Sequence, residues 1–182
     1  MPTPDLSPSG SIREPGNEIS MSERDDAARK KIAGIFLDEK SVISRSPQVE
    51  HERKVAIYDL LEDNHFAPAG DIEGPFNLHL GIVENRLVFD VRDTDDIVLA
   101  NFTLPVSPFR SIVKDYYMVC DSYFKAIKTS TPSQIEAIDM GRRGLHNEGA
   151  EILAERLADK VVVDNDTARR LFTLICVLHI RA

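Results

Sequence analysis

From Phe109 to Ile127 apolar side chains return every three or four residues: Phe109, Ile112, Val113, Tyr116, Tyr117, Cys120, Tyr123, Phe124 and Ile127. This spacing predicts an amphipathic helix with one side in the core. Its aromatic content would also suit a stacking platform for bases or a cofactor, but the regular period favours packing. Lys114, Asp121, Lys125 and Lys128 take the other side, where Asp121 and Lys125 stand one turn apart as a surface pair. Upstream the period changes. "FNLHLGI", "RLVFDVR" and "IVLANFTL" read as three strands joined by the hairpin-length turns "VEN" and "DTDD", an antiparallel meander. Asn77, His79, Arg86, Asp90 and Arg92 alternate with apolar residues, so one face of the sheet is expected in water and helices over the other. "IAGIFLD" (Ile32 to Asp38) adds a short β-branched and aromatic strand.

Ser46-Pro47, Ser107-Pro108 and Thr131-Pro132 each place a hydroxyl before a proline, and each predicts a helix start. Gln134, three residues after Thr131, completes a capping box. The last segment, capped near Asp166, carries Leu171, Phe172, Leu174, Ile175, Val177, Leu178 and Ile180 around nearly its whole circumference. It reads as a buried helix, with a central strand as the alternative. Together these elements predict one α+β domain over residues 31–182, a short antiparallel β-meander packed against about four α-helices. Residues 1–30 are expected to be a disordered tail. Pro, Ser and Gly dominate the first twenty residues, which hold too little apolar surface to offset the entropy of ordering, and Met21 offers an alternative start.

Composition narrows the function classes. A formal net charge of -8 opposes broad attraction to nucleic acid or an anionic membrane and leaves RNA binding a minor reading. The longest apolar run, Leu171 to Ile180, is about half of the roughly 20 residues that span a bilayer. No secretion signal is visible, so a cytoplasmic location is expected. Cys120 and Cys176 lie in apolar segments without Cys-x-x-Cys spacing and read as buried reduced thiols.

Candidate chemistry concentrates in "DMGRRGLHNEG", residues 139–149. A continuous helix would line up Ile138, Gly141, Leu145, Gly149 and Ile152 on one face, letting another helix approach through the glycines. His146 and Glu148 would then point about 200° apart and could not act on one atom. Alternatively Gly141 ends the helix, "RRGLH" turns, and Asn147 caps a second helix near Glu148. Three interior glycines cost about 1 kcal/mol each against alanine, which favours the break unless close packing offsets them. A broken helix would offer free N–H groups beside Arg142, Arg143, Gly144, His146 and Asn147, an anion site. It would also let His146, Glu148 and Asp139 converge as candidate acid/base residues. The bland reading is that Arg142 and Arg143 pair with Glu136, Asp139 or Glu148 on the surface. The glycines match neither a Walker loop nor a dinucleotide fingerprint, and no cofactor is expected.

A second polar cluster, Glu50, His51, Glu52 and Arg53, occupies the first turns of the Pro47 helix, where helix-dipole complementarity explains the acids. It lacks the second histidine of a zincin helix. His65, His79 and His179 have no ligand spacing either, so no metal site is expected. Asp166, Arg169 and Arg170 read as a capped turn with surface ion pairs.

"LDEKSV", "EHERKVAIYDLLEDN", "RLVFDVR", "PFRSIVKDYYMVCDSYFKAI", "TPSQIEAIDMGRRGLHNEGA" and "DTARRLFTLICVLH" resemble a bacterial uncharacterised protein family (UPF 0262) from about Ile35 to the end. The resemblance implies a small bacterial cytosolic protein, with the first twenty residues additional to the usual start and Ile180 where an aromatic residue is expected. It implies no activity, cofactor or catalytic residue. The reading that follows is a non-enzymatic binding or regulatory protein whose patch at 139–149 takes a phosphate-bearing small molecule or an acidic protein segment. One alternative is a small hydrolase or phosphoryl-transfer enzyme with His146 or Glu148 as base and Arg142 and Arg143 stabilising anionic charge. The other is an oligomerisation module, with the glycine face against a second subunit.

Overall fold

A computed structural model describes residues 20–41 and 47–178. The readings made on residues 1–19, on Ser46 as a cap and on His179 and Ile180 lie outside the described residues. In chain order the elements are α1 (Met21–Arg29), β1 (Ile32–Leu37), α2 (Pro47–Glu62), β2 (Phe66–Pro68), β3 (Phe76–Val83), β4 (Arg86–Arg92), β5 (Val98–Pro105), α3 (Arg110–Thr129), α4 (Pro132–Leu157), β6 (Val161–Val163) and α5 (Asn165–Leu178). This is an α+β fold. The meander is present as β3, β4 and β5, but the sheet is not a pure meander: its order is β1-β3-β4-β5, and β1 runs parallel to β3. A parallel neighbour needs a crossover connection, and α2 lies in it. Strands β2 and β6 form a separate antiparallel pair. At three residues each they are too short to show a period.

Alternation sets the two faces of the large sheet. Phe76, Leu78, Leu80, Leu87, Phe89 and Val91 are buried, while Asn77, His79 and Asp90 between them are only half-buried. Helix α4 packs on α3 and on α5, and α5 packs on α2. Helix α5 is buried from Leu171 to Leu178, which settles the helix-or-strand alternative. The α3 stripe holds at Ile112, Val113, Tyr116 and Cys120, but Ile127 is 50% exposed at the far end. Lys125 and Asp121 form the expected surface pair at 2.8 Å.

Helix starts are partly as the sequence suggests. Thr131 and Gln134 make the reciprocal capping box of α4. Ser107 caps nothing; it opens a single 3₁₀ turn, Ser107–Phe109, and α3 begins at Arg110. The α5 cap is Asp164 rather than Asp166, with its carboxylate accepting from the Thr167 amide at 2.8 Å. Within the stretch counted as tail, Met21–Arg29 is helical under a Ser20–Glu23 capping box, and none of its residues is buried.

Two polar side chains tie the helices to the sheet. Asn64 is buried; its Oδ1 accepts from the Ile32 amide at 2.7 Å, and its Nδ2 donates to the carbonyls of Ile32 (2.9 Å) and Leu60 (2.7 Å). One side chain thus pairs the start of β1 with the end of α2, the kind of satisfaction a buried amide requires. Thr167 Oγ1 accepts from the His65 amide at 2.9 Å, linking that corner to α5. Among the described residues no helix is long and apolar enough to cross a membrane.

Candidate functional site

The favoured break in "DMGRRGLHNEG" does not occur: α4 is one helix from Pro132 to Leu157. Its second half supplies the reason. Gly149, Ala150, Leu153 and Leu157 are buried, and a Cβ on Gly149 would lie 2.5 Å from the Phe172 ring, so α5 crosses α4 at contact distance there. Gly141 and Gly144 differ, because a Cβ on either meets nothing within 4 Å. The expected glycine contact is therefore made at one position. With the helix unbroken, its interior N–H groups are not free for an anion.

A continuous helix also divides the candidate residues. Arg142 and His146, four residues apart, turn inward with Asp139, while Gly144, Asn147 and Glu148 are exposed. His146 and Glu148 do not converge.

His146 sits between three helices. Its Nε2 lies 3.1 Å from Tyr116 Oη on α3 and 3.1 Å from Thr173 Oγ1 on α5. Tyr116 in turn donates to Glu52 Oε2 on α2 at 3.2 Å, and Thr173 donates to the Arg169 carbonyl at 3.2 Å. A carboxylate and a carbonyl only accept, so both hydroxyl protons are committed. The network therefore assigns the remaining proton to His146 Nε2 and leaves Nδ1 bare, with no hydrogen bond to any described residue.

Arg142 closes the cluster from the other end. It donates from Nε and Nη2 to Asp139 Oδ1 (3.1 and 2.7 Å) and from Nη1 to Glu52 Oε1 (3.4 Å), and it lies over the Tyr123 ring at 4.8 Å. Arg143 is 68% exposed and shares Asp139 through Oδ2 at 2.8 Å. The surface-pair reading thus fits Arg143, whereas Arg142 bridges two helices. Glu52, read from sequence as a helix-dipole acid, is the α2 end of this network. The signal was its spacing, since it stands three residues after Val49 and four before Ala56, both buried.

Burial and pairing shift several ionisable groups of this network. Burial, then the charges of Arg142, Arg169 and Arg170, pushes His146 down to about 4 against a weaker pull from Asp139. Burial raises the Tyr116 and Tyr117 phenols and lifts the Cys120 thiol to about 11. Cys176, likewise buried, is raised well above its ordinary value. Both cysteines are free. Burial would lower Arg142, but its hydrogen bond to Asp139 and the charges of Glu52 and Asp139 outweigh that. The hydrogen bond from Arg142 holds Asp139 below the usual carboxylate range.

On α5, Arg170 Nε faces Asp59 of α2 at 3.4 Å. Arg169 has a weaker partner, Asp166 at 3.8 Å, whose side chain is 74% exposed. Among the described residues neither Arg169 Nε nor Arg170 Nε, both buried, has a hydrogen-bond acceptor. Sequence reasoning left both arginines to surface ion pairs; their approach to His146 follows from α5 lying against α4. Among the described residues no three His, Cys, Asp or Glu side chains gather as metal ligands.

The arrangement can be set beside known proteins. The model of an uncharacterised protein family, UPF0262, matches residues 29–181. The chain belongs to the UPF0262 family. A UPF0262 protein of Paramagnetospirillum magneticum is 64% identical over 153 residues, covering 84% of this chain and 98% of the relative. One from Rhodospirillum rubrum is 66% identical over 147 residues, covering 81% and 91%. One from Rhodopseudomonas palustris is 59% identical over 154 residues, covering 85% and 94%. No solved structure matches the chain. The UPF0262 match takes in all four helices of the His146 network, α2 to α5, and β1 to β6.

Proposed function

We propose that this chain is a non-enzymatic cytoplasmic binding protein that takes an oxyanion, a phosphate or a carboxylate, at the seam of α4 and α5, with Arg169 as the principal contact and Arg142, Arg170 and His146 around it. The observation that carries the reading is Arg169. Its Nε is buried without an acceptor among the described residues and its ion pair is long and solvent-facing. Arg142 and Arg170 each face a carboxylate on α2, although Arg170 Nε, like Arg169 Nε, is buried without a hydrogen-bond acceptor among the described residues. A guanidinium left with spare donors beside two other arginines and a neutral histidine is a site of positive potential, and Arg matches oxyanions through its forked donors. Relative to the patch 139–149 read from sequence, Arg142 and His146 stay in the site, and Arg169 takes the place of Arg143, Gly144 and Asn147.

Binding fits better than catalysis because neither the His146 ring nor the phenols and thiols around it are poised near neutrality. A general base works best with a pKa near the working pH, and His146 is well below it while the tyrosines and cysteines are well above. The free thiols support a reducing compartment. The test is an NMR titration of the His146 ring with inorganic phosphate and, separately, with a glutamate-rich peptide, on the wild type and on Arg169→Gln. An anion at the seam raises the His146 pKa from about 4 and the rise disappears in the variant. A response to phosphate alone points to a small ligand, and a response to the peptide alone to an acidic protein segment. No movement of the ring with either ligand defeats the reading.

A further inference from the structure

Strand β5 is one outer edge of the four-stranded sheet, hydrogen-bonded to β4 and, among the described residues, to nothing on its other side. The opposite edge, β1, lies beside α2. The Val106 amide donates inward to the Asn85 carbonyl at 3.2 Å. By alternation from that residue, Leu104, Phe102 and Ala100 turn their backbone groups toward β4, opposite Leu87, Phe89 and Val91. Asn101 and Thr103 therefore turn theirs outward. An open row of this kind is a template for another strand, and folded proteins usually blunt it with charge, proline or a bulge.

Here the blunting is confined to the ends. A register shift marks the start of the strand and Pro105 its finish; between them "VLANFTL" has no charged residue. In a chain with 30 acidic and 22 basic residues, a neutral edge eight residues long offers a second copy a surface that sets no like charges against each other. We propose that β5 is a dimerisation edge that pairs antiparallel with β5 of a second copy of this chain across a twofold axis at Phe102. Asn101 then exchanges N–H···O=C bonds with Thr103 of the second copy, and Phe102 faces its own counterpart. A twofold axis suits this, because each residue meets its partner reciprocally. On the same side of the sheet Phe102 is already stacked on Phe89, with ring centres 4.9 Å apart, so the pairing extends an existing aromatic surface. Ile97 and Val98, 60% and 54% exposed, lie at the end of the strand where the second copy would cover them.

The test is sedimentation equilibrium of the full chain over a dilution series, joined to amide hydrogen exchange. The expected mass at high concentration is twice the 20.4 kDa of one chain, falling on dilution, with the Asn101 and Thr103 amides protected only in the dimer. Asn101→Pro removes an outward N–H that the β4 ladder does not use, and Asn101→Lys sets two like charges near the axis. Both variants are expected to remain at 20.4 kDa with unchanged far-UV circular dichroism. If the proline variant unfolds, the lysine variant carries the comparison from an exposed side chain. A wild type that is monomeric at every concentration overturns the proposal. So does a dimer that persists in the folded variants, or a monomer whose two amides are protected at all dilutions.

Discussion

The Cβ that Gly149 lacks would lie 2.5 Å from three ring atoms of Phe172, a side chain with no solvent exposure that also meets Tyr116 and His146 edge-on. The ring is fully buried and already packed against Tyr116 and His146. Gly149→Ala is therefore expected to destabilise the fold by about 1–2 kcal/mol, overpacking outweighing the gain in helix propensity. Gly141→Ala and Gly144→Ala, which meet nothing, should each stabilise by up to about 1 kcal/mol. Urea unfolding of the three variants checks both signs, and a stabilised Gly149→Ala would refute the close crossing.

Asn64 supplies the second expectation. Replacing it with alanine leaves the Ile32 amide and carbonyl buried without their partners. A loss of about 2–4 kcal/mol is expected, since unsatisfied buried groups cost more than the hydrogen bond itself contributes. Asn64→Asp keeps one acceptor but brings a charge and should be no better.

The His146 ring gives a pH dependence with a definite sign. Its folded pKa is about 4, below the ordinary 6.5, so between these values the unfolded chain binds more protons than the folded one. The contribution is fully present above pH 6.5 and is lost progressively as the pH falls towards 4, on the order of 3 kcal/mol in total. Asp139, with a pKa below its ordinary 3.8, loses its contribution only at still lower pH and does not disturb this window. Stability measured at pH 7 and pH 5 should differ more in the wild type than in His146→Gln. Equal differences would show that His146 is not held neutral by its surroundings.

Thiol chemistry offers a fourth check. With Cys120 raised from 9.0 to about 11, its thiolate fraction near neutral pH is about a hundredfold below that of an unperturbed thiol, and Cys176 lies deeper. Alkylation of the native protein should be slow at both sites and become fast in urea. Rapid native labelling of Cys176 would mean that α5 opens locally.

Part of this fold is legible in the sequence. The strands from Phe76 to Pro105 follow from alternation, and α4 starts where Thr131 and Gln134 cap each other. The Met21–Arg29 helix lies in a stretch whose composition predicts a tail, yet its Ser20–Glu23 capping box is a local signal of a helix start. The glycine cost alone predicts a break in α4, and the sequence does not show that Phe172 stands opposite Gly149 and needs it there.

What the sequence determined by itself is local: the periods of two and of three to four, the caps, and the neutral strip of β5. These depend on residues within a turn or two of one another. Only the tertiary structure decided that β1 runs parallel to β3, and that Glu52, Tyr116, His146 and Thr173 meet across separations of 64, 30 and 27 residues. Whether a glycine breaks a helix, a glutamate caps or bridges, or an arginine finds an acceptor depends on what stands opposite it. That is fixed by how helices α2 to α5 pack, and packing joins residues that no short window of the chain contains.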